Sequence, residues 1–132
     1  MSRNDTLIRY RREKAGETLQ DGKILFDAER LSSAVNRLYY ALFYEVTALL
    51  LTKDLSSTKH SGILALFNEH FVKTKKVDIE SGRFFSRMFE FRQKSDYADF
   101  VHFEADKVRE WLEKSGQFIE DLEKVIEKES QR

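Results

Sequence analysis

The chain has 132 residues, with 23 basic and 23 acidic side chains and no net charge at pH 7. This balance argues against a globally basic nucleic-acid binder, and the absence of cysteine excludes a disulfide framework, a thiol nucleophile and a cysteine-ligated metal. The length predicts one domain over residues 1–132, frayed at 1–4 and 127–132, that buries a core without covalent staples. The charged N-terminal sequence shows no secretory leader and cysteine is absent, so we expect a cytoplasmic location.

Proline is absent, glycine is rare, and apolar side chains recur at a spacing of three and four residues, so the sequence predicts an all-α fold. The predicted helices span residues 5–28, 32–52, 60–71, 78–97 and 104–128. Asn4 or Asp5, Ser32 or Ser33, and Asp78 are the expected N-caps of the first, second and fourth helices. Short connections between long helices favour an up-and-down bundle of four long helices plus one short helix.

The second predicted helix organises the rest of the chain. Between residues 38 and 51 only Glu45 and Thr47 interrupt an apolar run, and a helix that is apolar around most of its surface belongs in a core. The run is shorter than the roughly 20 residues that a membrane span requires, so we expect no membrane association. One edge stays polar, because side chains at helical spacing bring hydroxyl, amide and guanidinium groups together there. These are Asn36, Arg37, Tyr40 and Tyr44.

Three short motifs occur in order along the chain: Asn-Arg-Leu-Tyr-Tyr-Ala-Leu-Phe at 36–43, Lys-His-Ser-Gly at 59–62, and Phe-Arg-Gln-Lys-Ser-Asp-Tyr at 91–97. Together with the five-helix pattern they resemble the HEPN domain family, in its short stand-alone branch, over about residues 5–125. The resemblance implies a helical bundle that forms a homodimer. Many members of the family are metal-independent ribonucleases or toxins, and many are encoded beside a minimal nucleotidyltransferase that acts as antitoxin.

The resemblance also implies a catalytic signature, Arg-x4–6-His at the end of the fourth helix, with the copies of two subunits facing each other across a cleft. One subclass continues to a tyrosine that the partner modifies with AMP. Here Arg92 matches the arginine, Tyr97 stands at the histidine position, and Asp99 stands where that subclass has tyrosine. The nearest downstream histidine, His102, falls outside the usual spacing.

Metal-independent RNA cleavage needs a base for the ribose 2′-OH, an acid for the leaving oxygen and a cation for the charge on phosphorus. Arg92 suits the last role because a guanidinium binds phosphate oxygens bidentately. Tyr97, with an ordinary pKa near 10, is a poor base but can donate a proton. His60, at the start of the third helix, and His102 are the candidates to replace the missing histidine.

The candidate binding residues are Asp96, Arg37, Tyr40 and Tyr44. Each has a structural alternative. Arg92 and Asp96 stand at i,i+4, so Asp96 could form an ordinary surface pair or lock the helix end by holding Arg92 or a helix-two tyrosine. The tyrosines could be core and interface residues whose hydroxyls find internal partners.

Two functions remain open at this point. The first is a homodimer of a toxin–antitoxin-like or stress module that binds RNA or nucleotide in a cleft lined by Arg92, Asp96 and Tyr97, with possible metal-independent ribonuclease activity. The alternative is a non-catalytic nucleotide-binding or scaffold partner of a separately encoded nucleotidyltransferase, which the missing histidine favours. There is no glycine-rich phosphate loop, paired metal-ligand motif or DNA-specific motif, so we expect no metal and no organic cofactor.

Overall fold

The computed structural model describes residues 3–97 and 101–131, and every regular element within them is helical, which confirms the all-α prediction. The elements are α1 (Arg3–Asp27), α2 (Leu31–Leu51), α3 (His60–Phe67), a π-helical turn (Asn68–Val72), α4 (Ile79–Tyr97) and α5 (Ala105–Ser130). Four long helices and one short one therefore form the bundle, as expected. None of the helices in this described part of the chain is long and apolar enough to cross a membrane.

Helix α2 is the centre of the bundle. It packs against each of the other four helices. Its side chains are buried along almost the whole length, from Leu38 through Leu42 to Leu50. This burial matches the apolar run that the sequence shows and removes its side chains from water, while one edge of the helix, at Tyr40 and Tyr44, stays half-buried.

The corner between α1 and α2 is tighter than predicted. Glu29 adopts a left-handed backbone conformation (φ 62°), and the amide of Arg30 donates to the carbonyl of Leu25 at 2.9 Å, which closes the end of α1. The chain has reversed direction by Arg30, which occupies the N-cap position of α2 without a side-chain cap. The prediction that Ser32 or Ser33 caps this helix is therefore wrong, because both serines already lie in its first turn.

The two ends of the chain are more helical than expected. Helix α1 already includes Asn4 and Asp5, so neither is its N-cap, and the side chain of Asn4 donates instead to Asp54. Helix α5 runs to Ser130, two residues past the predicted end. In the stretch that we expected to fray, Glu129 pairs with Lys76 at 2.8 Å.

The third helix ends in a π-helical turn that the sequence did not indicate. The amide of Lys73 donates to the carbonyl of Asn68 at 2.8 Å, five residues back. The wide turn keeps Phe71 fully buried and lays Val72 against α4 at Gly82. A Cβ at residue 82 would lie 2.9 Å from Cγ2 of Val72, so this approach requires glycine.

Helical spacing in the last helix predicts an inward seam of eight residues: Val108, Trp111, Leu112, Ser115, Ile119, Leu122, Val125 and Ile126. The structure buries Val108, Ser115, Leu122 and Ile126 and leaves the other four half-buried. It also buries Phe118, which the seam did not include. Its ring packs against several aromatic side chains of α3 and α4, with centroid distances of 5.6 to 6.4 Å across this group. The members are Phe67, Phe84, Phe85 and Phe118. Many of the aromatics that the composition supplies therefore fill the core between these helices.

Candidate functional site

Arg92 lies on the inner side of α4, with 14% of its side chain exposed. Its Nη2 donates to the hydroxyl of Tyr40 on α2 at 2.8 Å. Its Nε lies 3.0 Å from Oδ2 of Asp96, one turn later on α4. This Nε is buried and its N–H is not aligned on any acceptor among the described residues, so the contact with Asp96 is an ion pair without a hydrogen bond.

Asp96 connects this arginine back to the central helix. The side-chain amide of Asn36 donates to both carboxylate oxygens of Asp96, at 3.1 and 3.4 Å. The other end of Asn36, its Oδ1, accepts from Nε and Nη2 of Arg37 at 3.1 and 2.7 Å. Asp96 thus pairs with Arg92, which is one of the structural alternatives that the sequence left open for it. We call the group of Asn36, Arg37, Tyr40, Arg92 and Asp96 the Arg92 cluster.

Two guanidinium groups share one aromatic ring in this cluster. The Cζ atoms of Arg37 and Arg92 lie 5.0 and 5.4 Å from the centroid of Tyr40, within the range of a cation–π contact. Arg92 also lies 5.6 Å from the ring of Tyr39. Among the described residues, Asp96 is the one carboxylate in the cluster. The two positive charges of Arg37 and Arg92 therefore face one negative charge, that of Asp96.

His60 stands beside the cluster, at the first residue of α3. Its Nδ1 lies 2.9 Å from the hydroxyl of Tyr39, and its ring stacks on Phe43 with centroids 4.3 Å apart. Burial, and secondarily the charge of Arg92, lowers the pKa of His60 below its ordinary value. Burial raises the pKa of Tyr39 well above its ordinary value, against the smaller opposing effect of Arg92. Both rings are therefore neutral near pH 7.

A close approach of the preceding loop positions His60. The hydroxyl of Ser57 accepts from the amide of Lys59 at 3.2 Å, just before α3 begins. The loop can lie this close because residue 62 is glycine, where a Cβ would be only 2.1 Å from the Ser57 hydroxyl. The motif Lys-His-Ser-Gly thus has a structural explanation. Its glycine, Gly62, leaves room for the loop at Ser57, and this loop leads directly into His60.

An open groove of about 440 Å³ adjoins the Arg92 cluster between the start of α2 and the end of α4. Its walls are mainly polar, with hydroxyl, amide, guanidinium and carboxylate groups. The lining residues are Leu25, Ser32, Ser33, Asn36, Arg37, Ser95 and Asp96. The serine side of the groove is tied together where the Ser95 hydroxyl donates to the carbonyl of Ser32 at 3.2 Å. Polar ligands can therefore reach the cluster from this side.

Other predicted site residues are not joined to Arg92. Tyr44 is half-buried, with its ring 6.3 Å from that of Tyr40. His102 is exposed in the connector before α5, and no described hydrogen bond or ring contact links it to the cluster. Tyr97 ends α4, but its side chain and residues 98–100, including Asp99, lie outside the described residues.

Two residues of the site were not among the predicted site residues. Asn36 precedes the arginine of the first motif, and its position at helical spacing from Tyr40 was the available signal. Tyr39 is fully buried, yet it carries the hydroxyl that meets His60. The sequence contains no indication of that pairing, because the two residues are 21 positions apart on different helices.

A second ionic group lies on the far side of α2, inside the bundle. Arg12 of α1 binds Glu123 of α5 with two hydrogen bonds of 2.8 and 3.0 Å, which raises the pKa of Arg12. Glu45 of α2 is fully buried beside them, and neither of its oxygens has a donor among the described residues. Burial first, and then the hydrogen bond and charge of Glu123, raise the pKa of Glu45 to about 10, with Arg12 opposing.

The two carboxyl groups therefore share one proton, which Glu45 carries. Burial alone raises the pKa of Glu123, but its hydrogen bonds with Glu45 and Arg12 outweigh burial and hold its pKa below the usual value. A protonated Glu45 has an O–H group that can donate a hydrogen bond to the ionised Glu123. Two ionised carboxylates could not form this bond, because both would only accept. Across the described ranges 3–97 and 101–131, no group of three or more acidic or histidine side chains is arranged to hold a metal ion.

The architecture and the cluster together define a class of protein: a small helical-bundle domain with an arginine–tyrosine cluster between its second and fourth helices. The family model described as HEPN domain matches residues 8–125. The chain belongs to the HEPN family.

The chain is also similar to proteins of Thermotoga maritima and Methanocaldococcus jannaschii. A UPF0332 protein of the first organism is 53% identical over 127 residues, which cover 96% of each chain. A protein of the second organism, named "Putative toxin MJ0142", is 34% identical over 125 residues, covering 90% of this chain and 85% of that one. A further protein of the second organism, named "Putative toxin MJ0605", is 40% identical over 85 residues, 64% of this chain and 63% of its own.

Proposed function

We propose that this HEPN domain is a toxin-like protein that binds RNA phosphates at the Arg92 cluster and that any cleavage it performs is independent of metal. The observation that carries the proposal is the pair of guanidinium groups, Arg37 and Arg92, whose Cζ atoms lie 5.0 and 5.4 Å from the ring centroid of Tyr40, with Asp96 as the one carboxylate shown against Arg92 among the described residues. A net positive pair of arginines beside an open polar groove suits a phosphodiester, which guanidinium groups bind bidentately. The toxin names of the two Methanocaldococcus relatives agree with a module of this kind.

The chemistry of metal-free RNA cleavage assigns roles to the residues at hand. Arg92 would stabilise the charge that develops on phosphorus, since its buried Nε still lacks a hydrogen-bond acceptor among the described residues. Asp96 holds that arginine in the free protein, so a phosphate has to compete with it. His60 is the described histidine that lies near Arg92, and it would donate to a phosphoryl oxygen.

A homodimer would complete the cleft. Tyr40, Phe43 and Tyr44 form a half-buried aromatic row on α2, with ring centroids 6.1 to 6.3 Å apart. Half-buried aromatic side chains at the edge of a polar cluster are typical of the centre of a protein interface. A second copy on this row would bring two Arg92 clusters together around one RNA strand.

The test is incubation of the purified protein with total RNA and with tRNA in EDTA, beside Arg92→Ala and the matched control Arg87→Ala. Arg87 is an exposed arginine on the same helix, remote from the cluster, so its substitution removes the same charge without touching the site. We expect cleavage or RNA binding that resists chelation, disappears in Arg92→Ala and persists in Arg87→Ala. Equal behaviour of the two variants would refute the proposal.

Two observations favour a second candidate function. Tyr97 stands at the histidine position of the active signature, and the carboxylate of Asp96 already forms an ion pair with Arg92. In this case the protein is a non-catalytic binding partner of a separately encoded nucleotidyltransferase. The variant Tyr97→His separates the two functions. Cleavage that appears only in the variant means that the natural site binds without cutting, whereas cleavage by the natural protein rules this second function out.

A further inference from the structure

The pairing of Tyr39 with His60 has a direction that its surroundings determine. The hydroxyl of Tyr39 belongs to a fully buried residue whose ring lies parallel to Phe85, at 5.9 Å between centroids. Its single described hydrogen-bond partner is Nδ1 of His60 at 2.9 Å. If Nδ1 carried the hydrogen and donated, the hydroxyl hydrogen of Tyr39 would be buried without an acceptor, which is costly.

The charges around His60 lead to the same direction. The groups that face its ring are the tyrosines Tyr39 and Tyr40 from α2 and the guanidinium of Arg92 from α4. None of these groups is negative, so no described residue around the ring favours a doubly protonated imidazolium. Burial keeps Tyr39 protonated and therefore able to donate. The hydroxyl gives its hydrogen to Nδ1, and the single ring hydrogen of His60 stays on Nε2.

We propose that Tyr39 is a positioning residue that holds His60 in the Nε2–H tautomer, and that this N–H is a third donor, after Arg92 and Arg37, for the phosphate group of the ligand. This inference rests on the proposed function and makes it more specific. An imidazole whose Nδ1 is engaged offers no free basic nitrogen, so His60 acts as a hydrogen-bond donor to a phosphoryl oxygen and not as the base for a ribose 2′-OH. The described side chains of the site can therefore bind a phosphate group, but His60 does not supply the base that RNA cleavage needs.

The tautomer can be measured without RNA, by nitrogen-15 NMR of the imidazole rings at neutral pH. The chain has three histidines, and His60→Gln assigns the signal of interest by its loss. We expect a roughly tenfold or greater excess of the Nε2–H form at His60, the effect of one buried hydrogen bond. In Tyr39→Phe, which keeps the ring in the core, we expect the two tautomers to become comparable, while His70, half-buried on the π-helical turn, is unchanged.

A wild-type protein with the hydrogen on Nδ1, or a mixture unaffected by Tyr39→Phe, would overturn the positioning role. If that variant does not fold, the wild-type spectrum decides alone.

The donor role has its own test, in which inorganic phosphate is added to the same samples. We expect the Nε2–H signal of His60 to move in the wild type and to stay in place in Arg92→Ala. If His60 is in the Nε2–H tautomer but its signal does not move when phosphate is added, the donor role is refuted. The positioning role of Tyr39 is unaffected by that result. Absence of RNA cleavage bears on the proposed function alone, because neither NMR measurement depends on catalysis.

Discussion

The buried carboxyl of Glu45 leads to a prediction about stability and pH. Its pKa is about 10 in the folded protein and about 4.5 when the chain is unfolded. Between these values the folded state keeps a proton that the unfolded state releases. The stability that this proton confers is complete below pH 4.5 and is lost as the pH rises toward 10, with a slope of about 1.4 kcal/mol per pH unit. Glu123, whose pKa is lowered, acts in the opposite direction and only in acid.

Replacing Glu45 with glutamine removes this titration and keeps a donor for Glu123. At pH 7, about 2.5 units above the unfolded pKa, release of this proton in the unfolded state lowers the free energy of unfolding of the wild type. The loss is about 3 kcal/mol relative to a protein with a neutral isostere at this position. We therefore expect Glu45→Gln to be more stable by about that amount at pH 7, and by less than about 1 kcal/mol at pH 5. For a domain whose total stability is about 5–15 kcal/mol, such a gain is large.

Urea unfolding at half-unit steps from pH 5 to pH 9 measures both quantities. The difference between variant and wild type isolates Glu45 with its partner, because all other groups cancel. Glu113→Gln, an exposed position on α5, is the matched control and should follow the wild type at every pH. A variant that is destabilised equally at all pH values, or that keeps the wild-type slope, would show that Glu45 is not a buried neutral acid.

Three further variants test the site and the fold. Gly62→Ala places a Cβ against Ser57, so we expect a loss of about 1–3 kcal/mol in urea unfolding, restored by adding Ser57→Gly. Asp96→Asn frees Arg92 from its ion pair, so calorimetry should show phosphate binding about fivefold tighter, and weaker binding would contradict the competition between Asp96 and ligand. Leu122→Ala empties a fully buried site on α5 and should lower the unfolding free energy by about 2–5 kcal/mol, whereas Leu7→Ala, partly exposed on α1, should change it far less.

The sequence predicted the bundle well because helix periodicity reports burial directly. The apolar run of α2 placed it at the centre, and the seam of α5 indicated four of its buried positions. The pair of Arg92 and Asp96 was also within reach, since residues four apart on a helix are neighbours. In each case the relevant contact lies within one helix or depends on one face of it.

Features that depend on how helices meet were not predictable in this way. The hydrogen bond from Arg92 to Tyr40 joins residues 52 positions apart, and its existence depends on the crossing of α2 and α4. The early start of α2 results from the left-handed backbone conformation of Glu29. Glutamate seldom adopts this conformation, so the sequence did not indicate a turn there. Glu45 appeared in the sequence only as an interruption of an apolar run, because its neutral state results from burial in the assembled bundle and from Glu123 on another helix.

The π-helical turn at the end of the third helix has a consequence for how related chains can vary in length. Such a turn corresponds to a helix with one inserted residue, so deletion of one residue between 68 and 71 restores ordinary helical bonding and leaves the residues after it in nearly the same angular position. Val72 then stays against α4, and the constraint that keeps residue 82 a glycine persists. Chains one residue shorter here are therefore expected to retain glycine at the position of Gly82, and shorter chains with a larger side chain there would contradict this reasoning.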